Sequence, residues 1–342
     1  MKRWIAAAAA SALCATAQAQ EKFEVKVAEF VGAQHFMTKW LIGWGEKLEK
    51  ASNGRLVFKH FPNAQMAPTP GHYDLARTGQ ADVSWFLHGG TPGRFPLTEI
   101  VNLPYMVGSA EIGTKVLNDA QLRAKYLDAE HKGVHVLMLL THQPGNIFTT
   151  KKAIRGSNDM RGMRLRFASP TVRDFIAGLG ATPVGVTPTE ILEQLQKGAL
   201  DGAFIDYGGA GIAFKLGGTA KYVTEMYSYV TSFGVAMNPE FHAKLPADLK
   251  KLVDDSMKGV EKEVGEGWDA LDSIGKKLIV DGGAQAIRLS KNDDARFRKI
   301  GAQVTEAKLK ELEGKGLPAR EVYQQMRALS DRHAKDSKNF WN

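Results

Sequence analysis

Residues 162–180 read GMRLRFASPTVRDFIAGLG, and this stretch decides the fold class. Its first half alternates apolar residues with two arginines up to Phe167, which is the period of two expected of a β-strand. Its second half changes to a helical pattern, with Pro170 in the first turn and Gly180 at the end. A strand that leads directly into a helix predicts an α/β protein.

Similar strand-like and helix-like segments alternate along the rest of the chain. We predict strands at residues 23–30, 55–61, 83–86, 134–140, 162–168, 203–205, 228–238 and 284–289. We predict helices at 37–51, 72–78, 170–180 and 189–197, and over most of the chain from residue 246. The continuous apolar run at 134–140 is typical of a central parallel strand. Because the pattern restarts after this run, it indicates two α/β lobes followed by a helical tail.

The first nineteen residues have the composition of a secretory signal peptide. Lys2 and Arg3 supply a basic start, an apolar run follows, and Ala17-Gln18-Ala19 has the A-x-A pattern of a cleavage site. We therefore predict a signal peptide at residues 1–19, cleaved near Ala19.

Cys14 is the only cysteine of the chain and lies inside this predicted signal peptide. The mature chain would therefore carry neither a disulfide nor thiol chemistry. A lipoprotein signal fits less well, because Leu13 stands before Cys14 where such a signal needs a small residue. Export without cysteines predicts a periplasmic location in a bacterium. Loss of Lys2 and Arg3 with the signal peptide would take the formal net charge from +8 to +6, an excess that would favour anionic ligands or an acidic partner surface, although generic basicity also accounts for it.

The sequence contains no pattern that predicts catalysis or a metal centre. It lacks the G-x-S-x-G nucleophile elbow and the G-x-x-x-x-G-K-[ST] phosphate loop. His131 and His135 have helical spacing, but Gly133 lies between them and a strand begins there, so they should not share a face. Paired aspartates at 254–255 and 293–294 are interpreted as surface charge. We predict a protein that is not an enzyme and that has no cofactor and no metal site.

Four segments in a fixed order resemble a known family. They are SNGRLVFKHFPNAQM (52–66), MRGMRLRFASP (160–170), GATPVGVTPTEILEQLQKGALDG (180–202) and NPEFHAKLPADLKKLV (238–253). Together they resemble the substrate-binding proteins of tripartite ATP-independent periplasmic (TRAP) transporters, the DctP-type family. The likeness covers nearly all of the mature chain, and the order and spacing of the segments make it specific.

The resemblance implies a two-lobed α/β periplasmic binding protein, type II-like, with a hinge between the lobes, a ligand cleft at their junction and long helices bracing both. Residues 20–145 with about 230–270 would form lobe I, residues 146–229 with about 271–310 lobe II, and residues 311–342 a helical C-terminal segment. The implied function is a solute receptor that delivers a small organic acid to membrane permease subunits for ion-gradient-driven uptake. A monomer without a nucleic-acid partner is expected.

The resemblance also implies a role for the second arginine of the opening stretch. In this family the arginine that matches Arg166 forms a salt bridge with a carboxylate of the ligand. A guanidinium group is a planar fork that matches a carboxylate, and such a pair is poorly screened inside a closed cleft. The carboxyl ends of strands in open α/β sheets also face the crevice where ligands bind. Arg164, two residues earlier, is interpreted as a structural or surface residue.

The segment after Asp201-Gly202 departs from the family's pattern. Many members carry an asparagine there that touches the ligand, whereas this chain reads AFIDYGGAG. Asp206 or Tyr207 would then lie near that position, where a tyrosine hydroxyl suits a hydroxyl or carboxyl group and an aspartate suits hydroxyls or a cation. Alternatively, Gly208-Gly209 form a turn and neither side chain reaches the cleft.

Three segments that leave first-lobe strands are expected to supply the other half of the cleft, because ligand groups belong at strand ends in this architecture. The candidate residues are His35, Trp85, His88, His142, Gln143 and Asn146. Strand alternation lets only one of Trp85 and Phe86 face the cleft, and we predict that it is Trp85. Core packing is the alternative for each aromatic residue.

Three other functions stay open at this point. The chain could be a solute receptor for another importer, a sensor that presents its ligand to a kinase, or a periplasmic enzyme that acts on organic acids. The segments at 160–170 and 180–202 argue against another importer, and the missing catalytic set argues against the enzyme. The ligand stays open among sugar, hydroxy, keto and aromatic acids, with or without a metal ion.

Overall fold

The computed structural model describes residues 21–342, so the predicted signal peptide lies outside the described part of the chain. The strands are β1 (Phe23–Ala28), β2 (Leu56–Phe61), β3 (Val83–Leu87), β4 (His135–Thr141), β5 (Gly145–Thr149), β6 (Arg164–Phe167), β7 (Thr182–Gly185), β8 (Gly202–Ile205), β9 (Tyr222–Tyr229), β10 (Ser232–Met237) and β11 (Gln285–Arg288). The helices are α1 (Phe36–Ala51), α2 (His72–Arg77), α3 (Ala110–Leu117), α4 (Ala120–Leu122), α5 (Pro170–Gly178), α6 (Ile191–Gln196), α7 (Pro239–Lys244), α8 (Ala247–Ser256), α9 (Glu261–Asp281), α10 (Lys291–Gly314) and α11 (Ala319–His333). Within residues 21–342, every helix is too short or too polar to span a membrane.

The strands form two mixed sheets with helices packed around them, which confirms the predicted two-lobed α/β architecture. The first sheet has the order β2-β1-β3-β10-β4, with β1 parallel to β2 and β3 and with β10 antiparallel to both of its neighbours. The second has the order β11-β9-β5-β8-β6-β7, with β6 parallel to β7 and β8. The chain passes between the sheets three times, at residues 142–144, at 230–231 and through α7–α9 between β10 and β11. The exact lobe bounds stay a prediction, and the predicted bound at 311 falls inside α10.

The opening stretch folds as its pattern predicts. Leu165 is fully buried in β6, where it packs in the same hydrophobic cluster as Phe175 of α5. Ser169 caps α5, because its hydroxyl accepts a hydrogen bond from the Val172 N–H at 3.4 Å. Gly180 then turns the chain with a φ of +82°, a conformation that glycine adopts without strain. These local signals bring β7 back alongside β6.

The prediction that residues 134–140 form a central parallel strand is wrong. β4 is an edge strand, and its only partner among the described residues is β10, which runs antiparallel to it. The run is continuously apolar because both of its faces are covered. Met138 and Leu140 pack in the cluster around Trp85, whereas Leu139 packs in the cluster formed with α3 and α11. Cover on both faces thus gives an antiparallel edge strand the apolar pattern that is typical of a central parallel strand.

The single strand predicted at 228–238 is also wrong, because two strands in different sheets meet there. β9 ends at Tyr229, the chain changes sheet at Val230-Thr231, and β10 begins at Ser232. The connection contains no glycine, proline or asparagine, so the sequence shows no turn signal. β5 was missed for the opposite reason, since its first residue, Gly145, follows a proline and the segment reads as a loop.

Helix α9, of 21 residues, contacts both lobes and approaches each through a glycine. An added Cβ at Gly265 would overlap the backbone of Glu111 in α3, and one at Gly275 would overlap the carbonyl oxygen of Tyr207. The Asp269 carboxylate accepts hydrogen bonds from the Ala110 and Glu111 N–H groups at 2.8 and 3.0 Å. These contacts fix the helix to the first residues of α3 on one side and to the end of β8 on the other.

We expect Gly275→Ala to destabilise the protein by about 1–3 kcal/mol, because the new methyl group must displace backbone atoms rather than a flexible side chain. Gly43→Ala in α1 is the matched control, since a Cβ there meets no atom within 4 Å. Because alanine has a higher helix propensity than glycine, Gly43→Ala should stabilise the protein by about 0.5–1 kcal/mol. Urea unfolding followed by circular dichroism measures both. Equal effects of the two substitutions would contradict the close contact at Gly275.

Candidate functional site

A cavity lies between the two sheets, at the junction of the lobes. The empty space between its lining residues amounts to about 510 Å³, including the part open to solvent. The first lobe contributes Phe30, His35 and Trp85, and the second contributes Arg166, Ile205 and Asp206. Trp268 of α9 and residues of the crossing segments complete the wall. Groups from both lobes therefore face one space.

Arg166 lies in β6 with only 5% of its surface exposed. Its Nε donates a hydrogen bond to the Val186 carbonyl at 3.2 Å, and its Nη1 donates to the Phe204 carbonyl at 3.3 Å. No hydrogen bond among residues 21–342 uses its second amino group, Nη2. Burial lowers the pKa of Arg166, and the nearby Tyr229 and Asp206 oppose that change. The guanidinium stays charged, because arginine is not deprotonated in proteins, and it is held in one orientation.

Arg164 has a different environment on the same strand, as interpreted from the sequence. Its Nη2 and Nε pair with the Asp201 carboxylate at 2.9 and 3.1 Å, and its side chain is 45% exposed. The hydrogen bond from Arg164 lowers the pKa of Asp201. This surface pair closes the connection between α6 and β8 and is separate from the cavity lining.

Asp206 brings a carboxylate into the cavity directly after β8. Its Oδ1 accepts a hydrogen bond from the Gly209 N–H at 2.6 Å, which fixes the turn that follows. Its Oδ2 lies 3.8 Å from Nδ1 of His142, another cavity residue. Asp206 is 5% exposed, so the cavity contains a buried anion as well as the buried cation of Arg166.

The two histidines of the cavity do not add to its positive charge. Burial lowers the pKa of His35 to about 3, with a further contribution from His142. Burial likewise lowers the pKa of His142, although Asp206 opposes this. The Nδ1 of His35 accepts a hydrogen bond from the Met37 N–H at 3.1 Å and caps α1. Its proton therefore lies on Nε2, where it can be donated.

Aromatic rings form the apolar part of the wall. Phe30 and Trp85 lie 4.4 Å apart between ring centroids, and Phe233 stacks nearly parallel to Trp268 at 6.0 Å. Several polar atoms among these cavity residues are buried without a hydrogen-bond partner in residues 21–342. They are Trp85 Nε1, Trp268 Nε1, Tyr229 Oη and Thr231 Oγ1. Buried donors of this kind normally find a partner, so the wall has unused capacity for polar contacts.

Five of the residues predicted from the sequence line the cavity. They are Arg166, His35, Trp85, His142 and Asp206. Trp85 and Phe86 separate as strand alternation requires. Phe86 packs on the opposite face of the sheet with Tyr73 and Phe95. Whether each lining residue contacts a ligand stays a prediction.

His88 and Tyr207 are not among the lining residues. The Nε2 of His88 lies 3.0 Å from Nε2 of His131, in a core that includes Phe95. The Tyr207 hydroxyl donates a hydrogen bond to Glu225 at 3.0 Å, and its ring is fully buried. Tyr207 directly follows Asp206, so the two side chains leave the backbone in different directions.

Asn146 and Gln143 are buried behind the cavity wall rather than in it. The Oδ1 of Asn146 accepts hydrogen bonds from the Met226 and Tyr227 N–H groups, each at 2.8 Å, where the pairing of β5 with β9 is irregular. Both amide atoms of Gln143 are without a partner among the described residues. An added Cβ at Gly208 would lie 2.6 Å from Gln143 Nε2, which places that amide beneath the turn after Asp206.

Sequence reasoning missed the cavity residues at the junction of β9 and β10 and in α9. They are Tyr229, Thr231, Phe233 and Trp268. Their local sequence resembles that of any core segment. Only the partner element that brings them to the cavity distinguishes them, and that partner is distant in the chain.

Comparison with known proteins agrees with this geometry. The sequence profile described as bacterial extracellular solute-binding protein, family 7 (DctP), matches residues 27–311. A TRAP solute binding protein from Rhodoferax ferrireducens T118, solved in complex with copurified benzoate, is 27% identical with a TM-score of 0.87, covering 92% of this chain and 99% of that one. A marine metagenome TRAP solute binding protein specific for aromatic acid ligands, solved with 3-hydroxybenzoate, is 28% identical with a TM-score of 0.87, covering 91% and 99%.

The protein YiiZ of Salmonella typhimurium is 24% identical over 228 residues, which are 66% of this chain and 69% of that protein. The profile match extends over most of the chain, from β1 into α10, and thus includes both lobes. The chain therefore belongs to the DctP family of bacterial extracellular solute-binding proteins and is a substrate-binding protein of the TRAP type.

Proposed function

We propose that this protein binds an aromatic monocarboxylate between its lobes in the periplasm and delivers it to the membrane subunits of a TRAP transporter. One observation carries the proposal. The buried guanidinium group of Arg166 faces a cavity walled by aromatic rings, and its Nη2 donates a hydrogen bond to no residue in the described part of the chain. The arginine suits the carboxylate of the ligand, and the rings suit its body.

Charge supports a ligand with a single negative charge. Arg166 is the cation that faces the cavity, since burial keeps His35 and His142 neutral at neutral pH. Asp206 already places one negative charge in the same space. The charges of Arg166 and Asp206 sum to zero, so a monocarboxylate leaves one uncompensated negative charge in this poorly screened site and a dicarboxylate leaves two, which favours the monocarboxylate. The free Oδ2 of Asp206 can accept a hydrogen bond from a ligand hydroxyl.

The wall supports an aromatic ligand body over a sugar. Phe30, Trp85, Phe233 and Trp268 present a largely apolar surface, and burying it against a ring is favourable. A sugar acid would instead use the unpartnered polar atoms of the wall, and its polar body would gain less from the apolar ring faces. Two of the solved relatives described above hold benzoate and 3-hydroxybenzoate, which agrees with an aromatic acid in this cavity.

Contact between the lobes supports ligand capture by closure. Gly89, which follows β3, lies against Ala168 and Ser169 at the end of β6, and an added Cβ would approach the Ala168 carbonyl oxygen to 2.7 Å. The rims of the two lobes therefore touch beside the cavity. A ligand that contacts both lobes would stabilise this closed arrangement, and opening would release it to the permease.

We expect Arg166→Ala to weaken binding of benzoate or 3-hydroxybenzoate by about 2–5 kcal/mol, or roughly 30-fold to several thousand-fold in Kd, because the carboxylate loses its buried partner. Isothermal titration calorimetry measures this directly. Arg164→Ala is the matched control, since that arginine pairs with Asp201 away from the cavity. Unchanged affinity in Arg166→Ala, with a wild-type melting temperature, would refute the carboxylate contact.

Among organic acids, we expect benzoate and hydroxybenzoates to raise the melting temperature, and succinate, pyruvate and galacturonate to leave it nearly unchanged. Ligand that binds only the folded state stabilises it in proportion to its affinity. Analysis of each incubated acid by mass spectrometry separates a receptor from an enzyme, because a receptor returns its ligand intact. Stabilisation by galacturonate alone would replace the aromatic ligand with a sugar acid, and turnover of any acid would favour the enzyme.

We expect Gly89→Leu to weaken acid binding by at least about tenfold, because its side chain would hold the lobe rims apart. The radius of gyration from small-angle X-ray scattering should then shrink on ligand addition in the wild type but not in the variant. Gly43→Leu is the control, since an added Cβ there meets no atom within 4 Å. Wild-type affinity and compaction in Gly89→Leu would show that this contact does not govern closure.

A further inference from the structure

Three side chains from separate elements meet at the outer edge of the first sheet, away from the cavity. They are His135 at the start of β4, His242 in α7 and Asp254 in α8, and we refer to them as the His135 cluster. The Nε2 of His135 lies 2.8 Å from Oδ1 of Asp254, and the Nε2 of His242 lies 3.0 Å from the same oxygen. The two imidazole rings stack with their centroids 4.0 Å apart.

The separations in this cluster are close to those of a metal centre. Tetrahedral zinc with bonds of about 2.0–2.1 Å places neighbouring ligand atoms about 3.3 Å apart. The two measured nitrogen–oxygen distances are shorter than this by a few tenths of an ångström, and all three potential ligand atoms lie within 4.8 Å of one another. A small outward movement of the side chains would therefore accommodate an ion.

The chemistry of the three groups also fits. Two imidazole nitrogens and one carboxylate oxygen are a donor set that zinc prefers, and a water molecule can occupy the fourth position. Lys250 adds an opposing positive charge near His242, which limits the expected affinity. The side chains of His135, His242 and Asp254 are 35%, 18% and 37% exposed, so an ion can reach them.

We propose that His135, His242 and Asp254 form a binding site for a divalent transition-metal ion, with Zn²⁺ as the best match to the donor set. The ion would join the edge strand β4 to α7 and α8. It would thereby stabilise the segment that follows β10, and it would do so independently of the organic-acid ligand. This site is distinct from the His131–His135 spacing in the sequence, because His131 faces His88 in a separate core. It also replaces the sequence-based expectation that the chain has no metal site.

The test is zinc titration of the mature chain without a histidine tag, by calorimetry and by thermal denaturation. We expect one equivalent of Zn²⁺ to bind and to raise the melting temperature. His135→Ala and His242→Ala should each weaken binding by roughly 10–100-fold or more, since even outer-shell partners contribute that much to metal affinity. His60→Ala is the matched control, because that histidine pairs with Glu29 at the other end of the sheet. Affinity for benzoate should be the same in all variants.

Asp254→Asn provides a second test if either histidine variant fails to fold. It retains an oxygen that can accept the histidine hydrogen bonds but removes the charged ligand, so zinc should bind more weakly while the metal-free melting temperature stays close to wild type. The proposal is overturned if the wild type does not bind zinc. It is equally overturned if binding is unaffected by His135→Ala and His242→Ala, or if His60→Ala reduces it as much. The three groups would then be a hydrogen-bonded cluster and nothing more.

Discussion

A buried guanidinium group must be given partners, and this requirement at Arg166 governs how the second lobe is built. An unpaired charge in a site with little water costs several kcal/mol, so the carbonyl oxygens of Val186 and Phe204 must lie in place before any ligand arrives. Phe204 belongs to β8 and Val186 follows β7, the two strands that flank β6. The strand order β8-β6-β7 therefore determines the position of the arginine. The remaining amino group, Nη2, is without an acceptor among residues 21–342, and it is the group to which we assign the carboxylate of the ligand.

The cavity belongs to neither lobe alone. The first lobe supplies aromatic surface and a neutral histidine donor, the second supplies the charges, and α9 supplies Trp268. Each half exposes apolar or charged surface that the other half covers, so opening the cleft exposes both to water. A small ligand that fills the space adds contacts to both halves at once, and the closed arrangement gains stability from each of them. Under the proposed mechanism, the recognition of a ligand and the movement of the lobes are thus one process.

Local patterns predicted the parts of the fold that depend on local interactions. β6 and α5 follow from alternation, a proline in the first helical turn and a terminal glycine, all within twenty residues. Local sequence did not predict the edge position of β4 or the change of sheet between β9 and β10. Both depend on which distant elements pair with a strand or cover it. The site divides in the same way. Residues at strand ends, such as Arg166 and Asp206, were predicted to face the cleft, whereas Trp268 reaches it only through the packing of α9. His88 and Tyr207 point away from the cavity, because the face of the strand or turn on which each residue lies determines the direction of its side chain.

The two glycines of α9 have a consequence for which changes of length the chain tolerates. Gly265 faces α3 and Gly275 faces the end of β8, so the ten-residue interval sets the rotational phase between the two contacts. One inserted or deleted residue would turn one end of the helix by about 100° relative to the other, since a helix has 3.6 residues per turn. A bulky side chain would then meet a backbone that only glycine can approach. Insertions and deletions are therefore expected in surface loops of this protein, whereas the number of residues between Gly265 and Gly275 must stay constant.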